Sequence, residues 1–93
     1  MAFKGKATAA ETKARDLGLA LARIAESEGT PASIGIDALR RASPRLTPLA
    51  IGQIVRREGA VLEAALAERG LTLVDYSDRR LGRGMEFTID AAP

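Results

Sequence analysis

The fold is decided by Leu66-Ala67-Glu68-Arg69-Gly70-Leu71-Thr72-Leu73-Val74-Asp75-Tyr76-Ser77-Asp78-Arg79-Arg80-Leu81-Gly82-Arg83-Gly84-Met85-Glu86-Phe87-Thr88-Ile89-Asp90. An apolar helical pattern stops at Arg69-Gly70, where glycine supplies the left-handed residue that ends a helix. Beyond it Met85, Phe87 and Ile89 alternate with Glu86, Thr88 and Asp90, the period of a half-buried strand. The run before them is less regular, with Leu71, Leu73 and Asp75 set against Thr72, Val74 and Tyr76. Helix, strand, basic turn, strand is the reading. The hairpin tip carries Arg79, Arg80 and Arg83 with glycines Gly82 and Gly84, a shape suited to pressing cations against a phosphate backbone.

Upstream, Thr47-Pro48 marks a helix start, because Thr caps and Pro is pre-set for the first turn. Ala50, Ile51, Ile54, Val55, Val61, Leu62, Ala65 and Leu66 then recur at helical spacing. They fit one helix over 48–69 or two divided at Glu58-Gly59; a split or kink is favoured, since Gly52 and Gly59 lie inside a run long for so small a chain. Thr8 followed by Glu11 has the form of a capping box, opening a first helix whose Ala14, Leu17, Gly18, Leu21, Ile24 and Ala25 continue to Gly29. Its other face, with Lys13, Asp16, Arg23 and Glu26, mixes signs and reads as solvated scaffold. Between these helices, Gly29-Thr30-Pro31 breaks the chain. Ala32–Ile34 is a short extended piece, a helix runs from Gly35 to about Ala42, and Ser43-Pro44 stops it. Residues 1–7, with Lys4 and Lys6, read as a flexible basic arm, 8–90 as the domain and 91–93 as a tail.

Ninety-three residues make one domain near the lower limit for a single core. With no cysteine and no histidine, disulfides, thiolate metal sites and the commonest general base are all missing. No hydrolase spacing is present, and Gly82-Arg83-Gly84 neither follows a strand nor opens a helix as a phosphate loop does. Tyr76 beside Asp75 and Asp78 reads as local ion pairing with Arg79 and Arg80. The expectation is a protein that is not an enzyme and has no cofactor. No apolar run approaches a membrane span or a secretory signal, so a cytoplasmic location is expected, at the nucleoid when DNA is bound.

Net charge is only +2, but its distribution is uneven. From residue 40 to 57 the chain holds Arg40, Arg41, Arg45, Arg56 and Arg57 and no acid, a local charge of +5. Acids collect at Glu11, Asp16, Glu26, Glu28, Glu58, Glu63 and Glu68.

Three to four helices followed by a two-stranded hairpin with a basic tip resemble the winged helix-turn-helix family of DNA-binding domains, from about Thr8 to Asp90. Leu66-Ala67-Glu68-Arg69-Gly70-Leu71 looks like the end of a recognition helix entering the first wing strand, and Arg79 to Gly84 looks like the wing. The resemblance implies a mostly helical α+β fold in which Ala32–Ile34 pairs with the hairpin as a third strand. It allows two placements of the helix-turn-helix turn. A turn near Pro44-Arg45 puts Leu46, Ile51 and Ile54 at core positions and presents a basic helix. A turn at Glu58-Gly59 places a glycine well but presents Glu63 and Glu68, a poor surface for a polyanion. Chemistry favours the first, topology leans to the second, and a kinked helix reconciles them with its first half as the reader.

On that reading Thr47, Gln53, Arg56 and Arg57 lie off the apolar stripe and reach a major groove, where Gln suits adenine and Arg suits guanine. Arg40, Arg41 and Arg45 hold phosphates and set register. Arg79, Arg80 and Arg83 contact the backbone or the minor groove. The function expected is sequence-specific binding of double-stranded DNA by a small bacterial, plasmid or phage transcriptional regulator. A homodimer formed through the first helix would match paired half-sites. The alternative is a protein-interaction module on the same scaffold, an inhibitor or adaptor docking on transcription machinery. Single-stranded nucleic acid ranks last, since Phe3, Tyr76 and Phe87 make no stacking platform.

Overall fold

The Thr8 side-chain hydroxyl accepts a hydrogen bond from the Glu11 N–H, and the Glu11 carboxylate accepts one from the Thr8 N–H, each at 3.0 Å. This capping box opens α1 (Ala9–Glu28) in the computed structural model, which describes residues 8–77 and 85–93. The chain continues through β1 (Ala32–Gly35), α2 (Ile36–Ala42), α3 (Pro48–Arg57), α4 (Gly59–Ala67), β2 (Leu71–Ser77) and β3 (Glu86–Ala91). The described residues form an α+β fold of four helices and one three-stranded antiparallel sheet, ordered β1-β3-β2. The short extended piece is thus a sheet member, paired to β3 with Ala32 opposite Ile89 and Ile34 opposite Phe87. Ala91, assigned to the tail by sequence, is the last residue of β3 and lies opposite Leu71.

The long apolar run divides where expected. Glu58 leaves helical geometry at φ −121° and ψ 30°, yet its N–H reaches the Ile54 carbonyl at 2.7 Å and its own carbonyl accepts the Leu62 N–H at 3.0 Å. Hydrogen bonding therefore carries across a one-residue break, so α3 and α4 stay coupled while pointing different faces outward. Helix α4 ends at Ala67 and not at Arg69 as expected, and the turn after it closes on Gly70 at φ +73°, a conformation costly for a residue with a Cβ. Its N–H bonds the Ala67 carbonyl at 2.9 Å, and its carbonyl accepts the Ala92 N–H at 2.8 Å.

The irregularity of β2 has a structural cause. Leu73 faces Ile89, but the next paired residue is Asp75, opposite Thr88, which leaves Val74 as a bulge. A bulge inverts the alternation of the residues after it. Tyr76, grouped with Thr72 by simple alternation, instead lies opposite Phe87 on the same side as Leu73, the two rings 4.8 Å apart between centroids. Asp75 moves to the opposite side, and Val74 is 59% exposed.

The core lies between the inner face of the sheet and α1. Phe87, Ile89, Ile34, Leu17, Leu21, Leu39, Ile51, Leu62 and Leu66 are fully buried within it. Each such side chain contributes about 1.5–3 kcal/mol relative to exposure. Leu46, Ile51 and Ile54 occupy core positions as expected. Helix α1 is the central strut, in contact with the other three helices and with the sheet. At its far end the Arg69 guanidinium grips Glu26 through two bonds of 2.8 and 3.1 Å, tying the chain after α4 to α1. Among the described residues no helix is long and apolar enough to cross a membrane.

Candidate nucleic-acid interface

Helix α3 begins with Thr47, whose hydroxyl accepts the Ala50 N–H at 3.1 Å, and with Pro48 as its first residue. Ile51, Gly52 and Ile54 are buried and Val55 is half-buried, so at 100° per residue the opposite side must face water. That side presents Leu49, Gln53, Arg56 and Arg57, all exposed, with Gln53 at its centre. Arg57 and Ala50 flank Gln53 toward α1, and Leu49 and Arg56 flank it on the other side. Leu49 is 70% exposed. Among the described residues it is the most exposed of the large apolar side chains.

The other arginines expected to bind are placed nearby in the chain and are likewise exposed. Arg40 and Arg41 occupy the last turn of α2, where they also complement the negative end of the helix dipole. Arg45 lies in the turn before α3. Among the described residues the ion pair is Arg69 with Glu26, and none of Arg40, Arg41, Arg45, Arg56 or Arg57 is held by a carboxylate. Thr47 is brought to the same helix, where its hydroxyl oxygen accepts the cap bond and its O–H remains a donor. Arg79, Arg80 and Arg83 lie outside the described residues, as do the basic arm 1–7 and the suggested pairing of Asp78 with the tip arginines.

The first half of α1 adds a wall that periodicity did not reveal. Ala9, Ala10 and Lys13 line a cavity of about 250 Å³ with Ala50, Gln53, Ile54, Arg57 and Glu58. Ala9 and Lys13, with Thr12 and Asp16, line an adjoining one of about 300 Å³ with Ser43, Arg45 and Leu46. Asp16, Leu19, Ala20 and Arg23 face Ala42 and Ser43 across a third hollow. The side of α1 read as plain solvated scaffold is therefore one bank of a groove whose other bank is α3 and the turn before it. In sequence, Lys13 looks like any surface lysine, and only the packing of α1 on α3 brings it beside Arg57 and Arg45. Leu49 did carry a signal, since it falls outside the apolar stripe of Ile51, Ile54 and Val55.

Among the described residues, α4 and the outer side of the sheet have the opposite character. On α4 the exposed residues are Ala60, Glu63, Ala64 and Ala67, and Glu68 follows. On the outer side of the sheet Ser33, Thr72, Asp75, Ser77, Glu86, Thr88 and Asp90 lie together by register, with Ser33 donating a hydrogen bond to Glu86 at 2.8 Å. Three carboxylates and no cation stand on that face among the described residues. Comparison of the chain with known protein families, with curated proteins and with solved structures found no match to any of them.

Proposed function

We propose that this protein binds double-stranded DNA in a sequence-specific way as a small winged-helix regulator, with α3 in the major groove. The observation that carries the reading is the set of five exposed arginines on α2, its following turn and α3, none neutralised by a described carboxylate. The order helix, strand, three helices, two strands, with β1 paired to β3, supports the winged-helix reading. The acidic outer sheet and α4 support α3 as the reader, because a polyanion is repelled from both. Gln53 and Arg56 then address base edges, and Leu49 offers an apolar contact to a thymine methyl. Arg57, Arg45, Arg40 and Arg41 hold phosphates. Arg79, Arg80 and Arg83 add backbone or minor-groove contacts, and two copies on paired half-sites complete the regulator.

The exposure of Leu49 also favours a second reading, a protein-docking helix on the same scaffold. Salt separates the two. Fluorescence anisotropy of labelled duplex pools, random and genomic, is measured at low and near-physiological salt with the native chain and with Arg56→Ala/Arg57→Ala and Arg79→Ala/Arg80→Ala/Arg83→Ala variants. Duplex binding that weakens steeply with salt and with each set of substitutions supports the DNA reading. Absence of duplex binding at low salt overturns it in favour of a protein partner.

A further inference from the structure

Resting on that reading, we propose that the groove between α1 and α3 seats one strand of the DNA backbone, with Lys13 as its central phosphate ligand. Among the described residues Lys13 is the one cation that lines both adjoining cavities. It stands with Arg57 and Gln53 in the first and with Arg45 in the second. Each cavity is open and large enough to admit a phosphodiester, so two successive phosphates of one strand occupy them, sharing Lys13 between Arg57 and Arg45. The lining includes the small side chains Ala9, Ala10 and Ala50, which leave room for a close approach. The acids on the walls are Glu58 and Asp16, and neither lies within ion-pair distance of these cations.

The geometry gives α1 a role beyond scaffold. Gripping the backbone beside α3 fixes how deeply that helix enters the groove, so Lys13 contributes affinity and register without reading sequence. Arg15 on the same helix is the internal control: it is exposed on the other edge of the buried stripe and lines neither cavity.

The test is the salt dependence of duplex affinity for the full chain and for Lys13→Gln, Lys13→Arg and Arg15→Gln, with thermal melting to confirm that each is folded. Lys13→Gln is expected to reduce the steepness of log K against log salt by about 0.9, the contribution of one neutralised phosphate. The loss should be equal across duplex sequences, while Lys13→Arg and Arg15→Gln keep the native slope. If the native chain binds duplex but Lys13→Gln and Arg15→Gln behave alike, the groove assignment is overturned and the α3 reading stands. If the native chain binds no duplex at low salt, both fall together.

Discussion

Gly18 and Ala65 meet so closely that a methyl group built on Gly18 would lie 2.7 Å from the Ala65 Cβ and 3.4 Å from the Leu62 carbonyl oxygen. Here α1 and α4 touch almost backbone to backbone. The contact fixes the strut against the helix that follows α3, and through the one-residue break at Glu58 it limits where α3 can lie.

Gly18→Ala is therefore expected to destabilise the protein although alanine is the better helix former. Overpacking costs about 1–3 kcal/mol, and the propensity gain of about 1 kcal/mol offsets only part of it. Adding Ala65→Gly should restore space at the contact, making the double variant more stable than the two single effects predict. Denaturant titration of the four proteins checks this, and additive losses would count against the close approach.

The bulge in β2 separates neighbouring residues into different environments. Val74→Ser should change stability by less than about 0.5 kcal/mol, as exposed positions do. Tyr76→Ser removes the ring packed on Phe87 and should cost several times more. Equal losses at the two positions would mean that β2 runs without the bulge.

Thr47 caps α3, so Thr47→Ala should cost about 1 kcal/mol. In a domain of this size that lowers Tm by about 4–8 °C. Thr47→Ser retains the hydroxyl and should keep both stability and duplex affinity. A loss of affinity in a fully stable Thr47→Ser protein would show instead that the threonine methyl itself contacts DNA.

Base-reading and phosphate-holding residues differ in how their loss depends on sequence. Once a preferred duplex has been selected, Gln53→Ala or Arg56→Ala should lower its advantage over random duplex by about 1–3 kcal/mol. Arg40→Ala, Arg41→Ala and Arg45→Ala should weaken both duplexes equally and flatten the salt dependence. Competition titrations with the two duplexes measure both quantities. Uniform loss on Gln53→Ala and Arg56→Ala would remove them from base readout.

Local chemistry made much of the fold legible. The Thr8–Glu11 box, the Thr47-Pro48 start and the left-handed Gly70 are short-range devices, and each appears where its residues lie, although α4 itself ends at Ala67. The division at Glu58-Gly59 was legible for the same reason. The inversion at Val74 was not, because a bulge is set by pairing with β3 and leaves strand composition unchanged. At the candidate site, the exposure of Gln53, Arg56 and Arg57 follows from the helical stripe alone. The place of Lys13 does not, since it depends on how α1 lies across α3, a relation between residues some forty positions apart.

Backbone amide NMR of the labelled protein, titrated with duplex at low salt, distinguishes DNA contact through α3 from contact through α4 or the outer face of the sheet. Shift changes should concentrate at Leu49, Gln53, Arg56 and Arg57, extend to Arg40, Arg41, Arg45, Lys13 and the arginines Arg79, Arg80 and Arg83, and leave Glu63, Glu68, Asp75 and Asp90 unmoved. Changes centred on α4 or on the outer sheet, or none as duplex is added, would contradict the account.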